Sequence, residues 1–203
     1  MSNFRTTKIY GINICLDDNV YEPAEDSEML LSIIKVNNGE KVIEIGSGSG
    51  ILSVLAARMK GIVSAVDINP YASLVTLCTA KLNNVDINIV NCDMLECFRD
   101  IHWDVAIFNP PYLPVEEYNS WIEYSWSGGK IGSEVLVRFL NKIQAKRVYT
   151  IYSSLDNEEI ILRNIKKRGF IVSKKVEKVI GFEELIALEL YDKSCTSRAR
   201  RRI

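Results

Sequence analysis

From residue 41 to 108 the chain alternates short apolar runs with helical stripes in the order strand, helix, strand, helix, strand, strand. Few architectures accept such an order. Alternating β and α units imply right-handed crossovers and a mostly parallel sheet with helices on both faces. The strand-like runs are Val42-Ile43-Glu44-Ile45, Ile62 to Val66, Ile87-Asn88-Ile89-Val90 and Val105-Ala106-Ile107-Phe108. Helices are expected near 50–60 and 70–83, the second carrying an apolar stripe of Leu74, Val75, Cys78 and Leu82. Upstream, residues 8–21 read as a hairpin turning at Asp17-Asp18-Asn19. Met29, Leu30, Ile33 and Ile34 then mark one face of a helix that starts near Asp26 or Ser27. Downstream, a helix around 132–143 turns Val135, Leu136, Phe139, Leu140 and Ile143 inward, followed by strand 147–153 and helix 156–167. Two strands near 170–180 and 184–191, joined through Gly181-Phe182, should form a hairpin that places one antiparallel strand in the sheet.

In a sheet of this kind chemistry gathers where the strands end. The first run is followed by Gly46-Ser47-Gly48-Ser49-Gly50, where glycines permit positive φ and close approach of backbone to a ligand. The spacing is G-x-G-x-G rather than the G-x-G-x-x-G of dinucleotide enzymes, which disfavours pyrophosphate. Glu44, just before the turn, would repel phosphate but suits a sulfonium cofactor that carries an amino acid. The second run ends in Asp67, placed to accept hydrogen bonds from both hydroxyls of a ribose. After the third come Asn91-Cys92-Asp93-Met94, where Asp93 can take an adenine amino group while Met94 covers the ring.

The fourth run leads into Asn109-Pro110-Pro111-Tyr112. Two prolines remove two backbone donors and hold the chain out of helix, so an amide oxygen and nearby carbonyls face a ligand beside the Tyr112 ring. Two acceptors next to a flat face suit a planar NH2 group. A long connection, 113–130, follows; Trp121, Tyr124 and Trp126 read either as a buried satellite cluster or as a wall of the substrate groove. Gly128-Gly129 would let backbone approach cofactor or substrate.

A chain of 203 residues, 47% of them apolar, fits one domain with a substantial core. Its expected parts are a hairpin and helix over 1–40, the sheet core over 41–192 and a basic tail over 193–203. A net charge of −1 gives no overall footprint for nucleic acid. The five cysteines form no C-x-x-C pair; with the single histidine, His102, they point to neither a zinc site nor a disulfide framework, and they suit a reducing compartment. His102 reads as structural or surface. No apolar run has membrane-spanning length and no signal-peptide core is present, so the cytoplasm is the expected location.

The order Glu-x-Gly-x-Gly-x-Gly, Asp, Asp, Asn-Pro-Pro-Tyr resembles the S-adenosylmethionine-dependent amino-group methyltransferases. Within them the chain is similar to the HemK family of protein glutamine N5-methyltransferases, in its short archaeal and eukaryotic branch. Three segments carry that narrower likeness: Val20-Tyr21-Glu22-Pro23-Ala24-Glu25-Asp26-Ser27, Asp67-Ile68-Asn69-Pro70, and Trp126-Ser127-Gly128-Gly129-Lys130-Ile131-Gly132. The resemblance implies a Rossmann-like, seven-stranded class I methyltransferase fold of α/β type. It implies S-adenosyl-L-methionine bound by Ser27, Glu44, Gly46, Gly48, Asp67, Asp93, Met94 and Asn109, with Tyr21 and Glu25 also lining the site. Asn109, Pro110, Pro111 and Tyr112 would bind the substrate amide, and Asn109, Pro110 and Tyr112 would serve catalysis by direct displacement. The implied substrate is the glutamine of the Gly-Gly-Gln motif of a peptide chain release factor. The implied partner is a small zinc-binding activator, docked by strand addition around 86–92 to give a heterodimer. Many relatives carry Asp or Asn where Lys130-Ile131 stands, which leaves a polar role of that loop open.

Three other readings remain at this level. The same loop would hold adenine N6 in RNA or DNA, and the basic run Arg198-Ala199-Arg200-Arg201-Arg202 would touch phosphates. Neutral charge argues against nucleic acid as direct substrate. A protein lysine is another candidate amine. A non-catalytic scaffold is disfavoured by the intact Glu44, Asp67, Asp93 and Asn109 set.

Overall fold

A computed structural model describes residues 4–99, 101–114 and 119–194. Strands β1 (Arg5–Ile9) and β2 (Ile12–Leu16) form a hairpin ahead of helix α1 (Glu25–Ile33). The alternating core follows: β3 (Lys41–Ile45), α2 (Ile51–Arg58), β4 (Ile62–Asp67), α3 (Pro70–Leu82), β5 (Asn88–Asn91) and β6 (Trp103–Phe108). After the short α4 (Trp121–Tyr124) come α5 (Glu134–Lys142), β7 (Ala145–Ser153), α6 (Glu158–Lys167), β8 (Phe170–Ile180) and β9 (Glu183–Asp192). Seven strands make one sheet in the order β5-β4-β3-β6-β7-β9-β8. All pairs from β5 to β7 are parallel, while β9 runs antiparallel to both β7 and β8. The expected single antiparallel strand is therefore β9, inserted between β7 and β8.

The strands are apolar on both faces because both are covered. One face, with Ile43, Ala106, Phe108 and Val148, packs on Leu136, Phe139 and Leu140 of α5 and on Ile161 and Ile165 of α6. The other, with Val42, Val105, Ile107 and Ile151, packs on Ile12 and Ile14 of the hairpin, Met29, Leu30 and Ile33 of α1 and Leu52 and Val54 of α2. The chain reverses direction across the sheet between β3 and β6, and the carboxyl ends of such neighbours leave a crevice.

Three expectations are corrected. The hairpin turns at Tyr10-Gly11 rather than at Asp17-Asp18-Asn19; Tyr10 (φ 48) and Gly11 (φ 79) both take the left-handed conformation that a two-residue turn demands. The buried stripe of α3 is Ala72, Val75, Thr76, Thr79 and Ala80, whereas Leu74 and Leu82 are exposed. Small residues face inward here because α3 lies close against β2 and α2: a Cβ on Gly50 would stand 3.0 Å from the Thr76 methyl group. The cysteines, expected to be unpaired, form two disulfides, Cys15–Cys78 between β2 and α3 and Cys92–Cys97 across the turn after β5. His102 is exposed, as expected. The basic run Arg198–Arg202 and Cys195 lie outside the described residues.

Candidate active site

The ends of β3, β4, β5 and β6 open into one cavity of about 730 Å³. The residues that the sequence assigned to cofactor and amide line it: Ser27, Glu44, Gly46, Gly48, Asp67, Asp93, Met94, Asn109, Pro110, Pro111 and Tyr112. Tyr21 lines it too; Glu25 does not.

The floor is the turn after β3. Gly46, Gly48 and Gly50 all have positive φ (64, 52 and 80), so its N–H and C=O groups point where a side-chain-bearing residue would not easily aim them. Asp67, at the end of β4, fixes the turn: its Oδ2 accepts from the Gly48 N–H at 2.9 Å and its Oδ1 from the Asn69 N–H at 2.8 Å. A carboxylate has about four lone-pair sites, so both oxygens retain acceptor capacity toward the cavity. Burial raises the Asp67 pKa, and its N–H partners oppose that rise. Asn69 in turn caps α3 by accepting from the Tyr71 N–H at 2.9 Å, with Pro70 in the first helical position.

Glu44 is almost fully enclosed, at 2% exposure, and accepts a hydrogen bond from the Ser53 hydroxyl. Burial pushes its pKa up to about 8; the Ser53 bonds oppose this and the Asp67 charge adds to it. Near neutral pH this group is therefore mostly protonated, and a cation beside it would favour its ionised form. On the far wall, Met94 takes φ 48 and is buried in the lining. Asp93 beside it is held from outside by Arg138 of α5, at 2.6 Å from Oδ2.

Asn109 lies opposite. Its Nδ2 donates to Asp26 Oδ2 at 2.9 Å, and its Oδ1 is buried without a partner. The reverse amide orientation would press two oxygens together, so the carboxylate sets which end of the amide is left over. Asp26 is 3% exposed and is itself held by the Ser27 N–H at 2.5 Å and the Tyr21 hydroxyl at 3.3 Å. Sequence reading placed Asp26 only at a helix start and passed over Arg138 altogether. Asp26 stood inside the Tyr21–Ser27 segment that carried the family likeness, which was the available signal; Arg138 had none.

Tyr112, Trp121, Tyr124 and Trp126 line the mouth, which supports the groove-wall reading of this aromatic set. Trp121 meets Tyr124 edge to face at 6.1 Å. The base of the connection is closed by Leu113 N–H to Trp126 O at 2.9 Å and Gly128 N–H to Leu113 O at 2.8 Å. The two glycines have separate duties. A Cβ on Gly128 would fall 2.1 Å from the Gly132 carbonyl oxygen, so this glycine lets the loop close on itself, while Gly129 borders the cavity. Burial first, then Asp26, Glu183, Asp156 and Glu25, push the Tyr112 phenol far up, so it stays protonated.

Residues 22–122 match the family model described as methyltransferase small domain. Over 195 residues the chain is 38% identical to a protein of Methanocaldococcus jannaschii, provisionally named as a protein N5-glutamine methyltransferase, with 91% of this chain and 98% of that one covered. It is 33% identical over 190 residues to the human methyltransferase HEMK2, covering 84% of this chain and 89% of HEMK2. Against the eRF1 methyltransferase catalytic subunit mtq2 of Schizosaccharomyces pombe the identity is 29% over 208 residues, with 85% and 89% covered. A chain of the E. cuniculi Mtq2–Trm112 complex shares the fold at a TM-score of 0.69 and 21% identity, covering 86% of this chain and 99% of that one. With a cavity built at four strand ends and relatives matched over nearly their whole length, the chain belongs to the HemK family of protein N5-glutamine methyltransferases, in the branch that includes HEMK2 and Mtq2.

Proposed function

We propose that the protein methylates, at N5, the glutamine of the Gly-Gly-Gln motif in a peptide chain release factor, with S-adenosylmethionine as methyl donor. The observation that carries this reading is the Asn109 Oδ1 atom. Of the five buried side-chain polar atoms without a partner among the described residues, it alone belongs to a residue lining the cavity. A buried acceptor left unmet costs free energy, which a ligand N–H would recover.

The residues present fit the cofactor. Asp67 offers acceptors for ribose hydroxyls, Asp93 and Met94 suit an adenine ring, and Ser27, Glu44 and the Gly46–Gly48 backbone suit an amino-acid end. S-adenosylmethionine, when bound, supplies an electrophilic methyl group on a positive sulfur. The chain's own part is to present the nucleophile. An amide nitrogen attacks poorly because its lone pair is delocalised. Asn109 Oδ1 and the Pro110 carbonyl would accept its two N–H bonds, and those bonds strengthen as positive charge develops on nitrogen. The Tyr112 ring would fix the plane of the amide, and the fixed geometry supplies the proximity contribution. No basic side chain is needed, since the proton becomes acidic only once transfer is under way and can pass to water.

The activity of the relatives supports a release factor as substrate, and the Mtq2–Trm112 complex supports a small activator partner. Strand β5 is the edge of the sheet, where a zinc-binding activator would add a strand. Cytoplasmic location is part of this proposal and rests on the translation-related relatives, since the two disulfides remove the argument from unpaired cysteines; no helix among the described residues is long and apolar enough to cross a membrane.

The test is transfer of labelled methyl from S-adenosylmethionine to release factor and to total RNA, with and without the activator, beside an Asn109→Ala control. Label on the release factor that disappears when its Gly-Gly-Gln glutamine is changed supports the reading. Label on RNA alone overturns the substrate.

A further inference from the structure

The tip of the β8–β9 hairpin carries the two most exposed large hydrophobic side chains among the described residues, Phe182 at 89% and Val179 at 72%. A loose loop would make this unremarkable, but the tip is tied down. Ile180 pairs with Glu183 across the turn, and Gly181 takes φ 61 to close it. The Ser154 N–H donates to Glu184 O at 2.8 Å, and the Glu184 N–H donates to Ser154 Oγ at 3.0 Å. These bonds fasten the tip to the loop after β7, where Leu155 is 41% exposed. Glu183, the residue next to Phe182, accepts from Ser153 Oγ at 2.8 Å and lines the cavity together with Tyr112. The apolar tip is thus continuous with the mouth of the site.

The charge around it has one sign. Glu183 and Glu184 supply it, beside a buried Asp156 that is only partly ionised near neutral pH, because burial followed by Glu183 and Glu134 pushes its pKa up to about 7. The lysines of β8 nearest the tip do not offset them, since Lys175 is paired with Glu177 at 2.5 Å and Lys178 with Glu28 at 3.0 Å. A rim of carboxylates repels phosphate and attracts basic side chains.

We infer that the β8–β9 tip, with Phe182, Val179 and Leu155, is the docking surface for the body of the protein substrate, gripping an apolar residue flanked by basic ones while the target glutamine enters the cavity. The inference rests on the proposed release-factor activity and deepens it: the substrate is recognised as a folded protein and not through its target tripeptide alone. Rigid apolar anchors at an interface, edged by charge, supply most of its binding energy and much of its selectivity.

The experiment compares full-length release factor with a short peptide spanning its Gly-Gly-Gln motif, using the enzyme with its activator. Phe182→Ser is expected to raise KM for the full-length protein about 10-fold with kcat unchanged, and to leave kcat/KM for the peptide unchanged. Glu184→Lys is expected to raise the same KM and to flatten its dependence on salt. Equal KM values for wild type and Phe182→Ser on the full-length protein would overturn the docking surface and leave the substrate reading intact. Equal losses on protein and peptide would also overturn it, because a docking residue outside the cavity has no hold on the peptide. Absence of methyl transfer by the wild-type enzyme to either probe would overturn both proposals.

Discussion

Asn109 and Asp26, 83 residues apart in sequence, meet through one hydrogen bond of 2.9 Å, and that bond decides which end of the Asn109 amide faces the cavity. The carboxylate can only accept, so it takes the NH2 end and leaves the oxygen for a ligand. Asp26→Ala is therefore expected to lower kcat by about 10- to 100-fold, the equivalent of one hydrogen bond to a charged group. The KM for S-adenosylmethionine should change little. Asn109→Ala removes the acceptor itself and is expected to cost about 100-fold or more in kcat. Steady-state kinetics on the release factor checks both, and an Asp26→Ala enzyme with normal kcat would show that the amide orients itself.

Asp67 performs two tasks at once, bracing the glycine turn through Gly48 and presenting acceptors to the cavity. Asp67→Ala is expected to weaken cofactor binding about 100-fold, through lost ribose contacts and a relaxed turn. A ligand that binds only the native state raises Tm according to its concentration relative to Kd. S-adenosylhomocysteine should thus raise the Tm of the wild type and have almost no effect on the variant. An equal rise in both proteins would remove Asp67 from the site.

Most of this arrangement was legible before the structure because the decisive residues stand at strand ends, and the strands announce themselves as apolar runs. Glu44, Asp67, Asp93 and Asn109 were found that way, and all four line one cavity. The failures have a common origin in contacts that local pattern does not encode. Strand β1 is exposed along nearly all its length, so it shows no alternation and the turn at Tyr10-Gly11 went unseen. The inward face of α3 is made of Ala and Thr, which read as indifferent, while its leucines face out. Asp26 reaches Asn109, and Cys15 reaches Cys78, only through the folded chain.

Two buried carboxyls make stability depend on pH in a definite direction. Burial raises Glu44 from 4.5 to about 8 and Asp156 from 3.8 to about 7. Between each pair of values the native state holds a proton that the unfolded state has released, so stability falls as pH rises across that window. The contribution is complete below the unfolded value and lost above the folded one. Urea midpoints of the cofactor-free protein should therefore decline from pH 5 to about pH 8. Glu44→Gln and Asp156→Asn, which cannot ionise, should each flatten the decline. A midpoint that rises over this range in the wild type would contradict the assignment.

The disulfides give the last expectation. Cys15–Cys78 closes a segment with a sequence separation of 63 and fastens the N-terminal hairpin to α3, whereas Cys92–Cys97 spans only 5. Loop-closure entropy assigns about 4 kcal/mol to the longer loop and about 2 kcal/mol to the shorter. For a chain of this size, losing the longer bridge corresponds to a fall in Tm of roughly 10 °C. Adding dithiothreitol should lower Tm by that order and expose four more thiols than the untreated protein shows. The Cys15→Ser, Cys78→Ser double variant should already have the lower Tm and lose little more on reduction. Calorimetry with a thiol titration separates the two bridges, because a large remaining drop in the double variant would move the stabilisation to Cys92–Cys97, beside Asp93 and Met94.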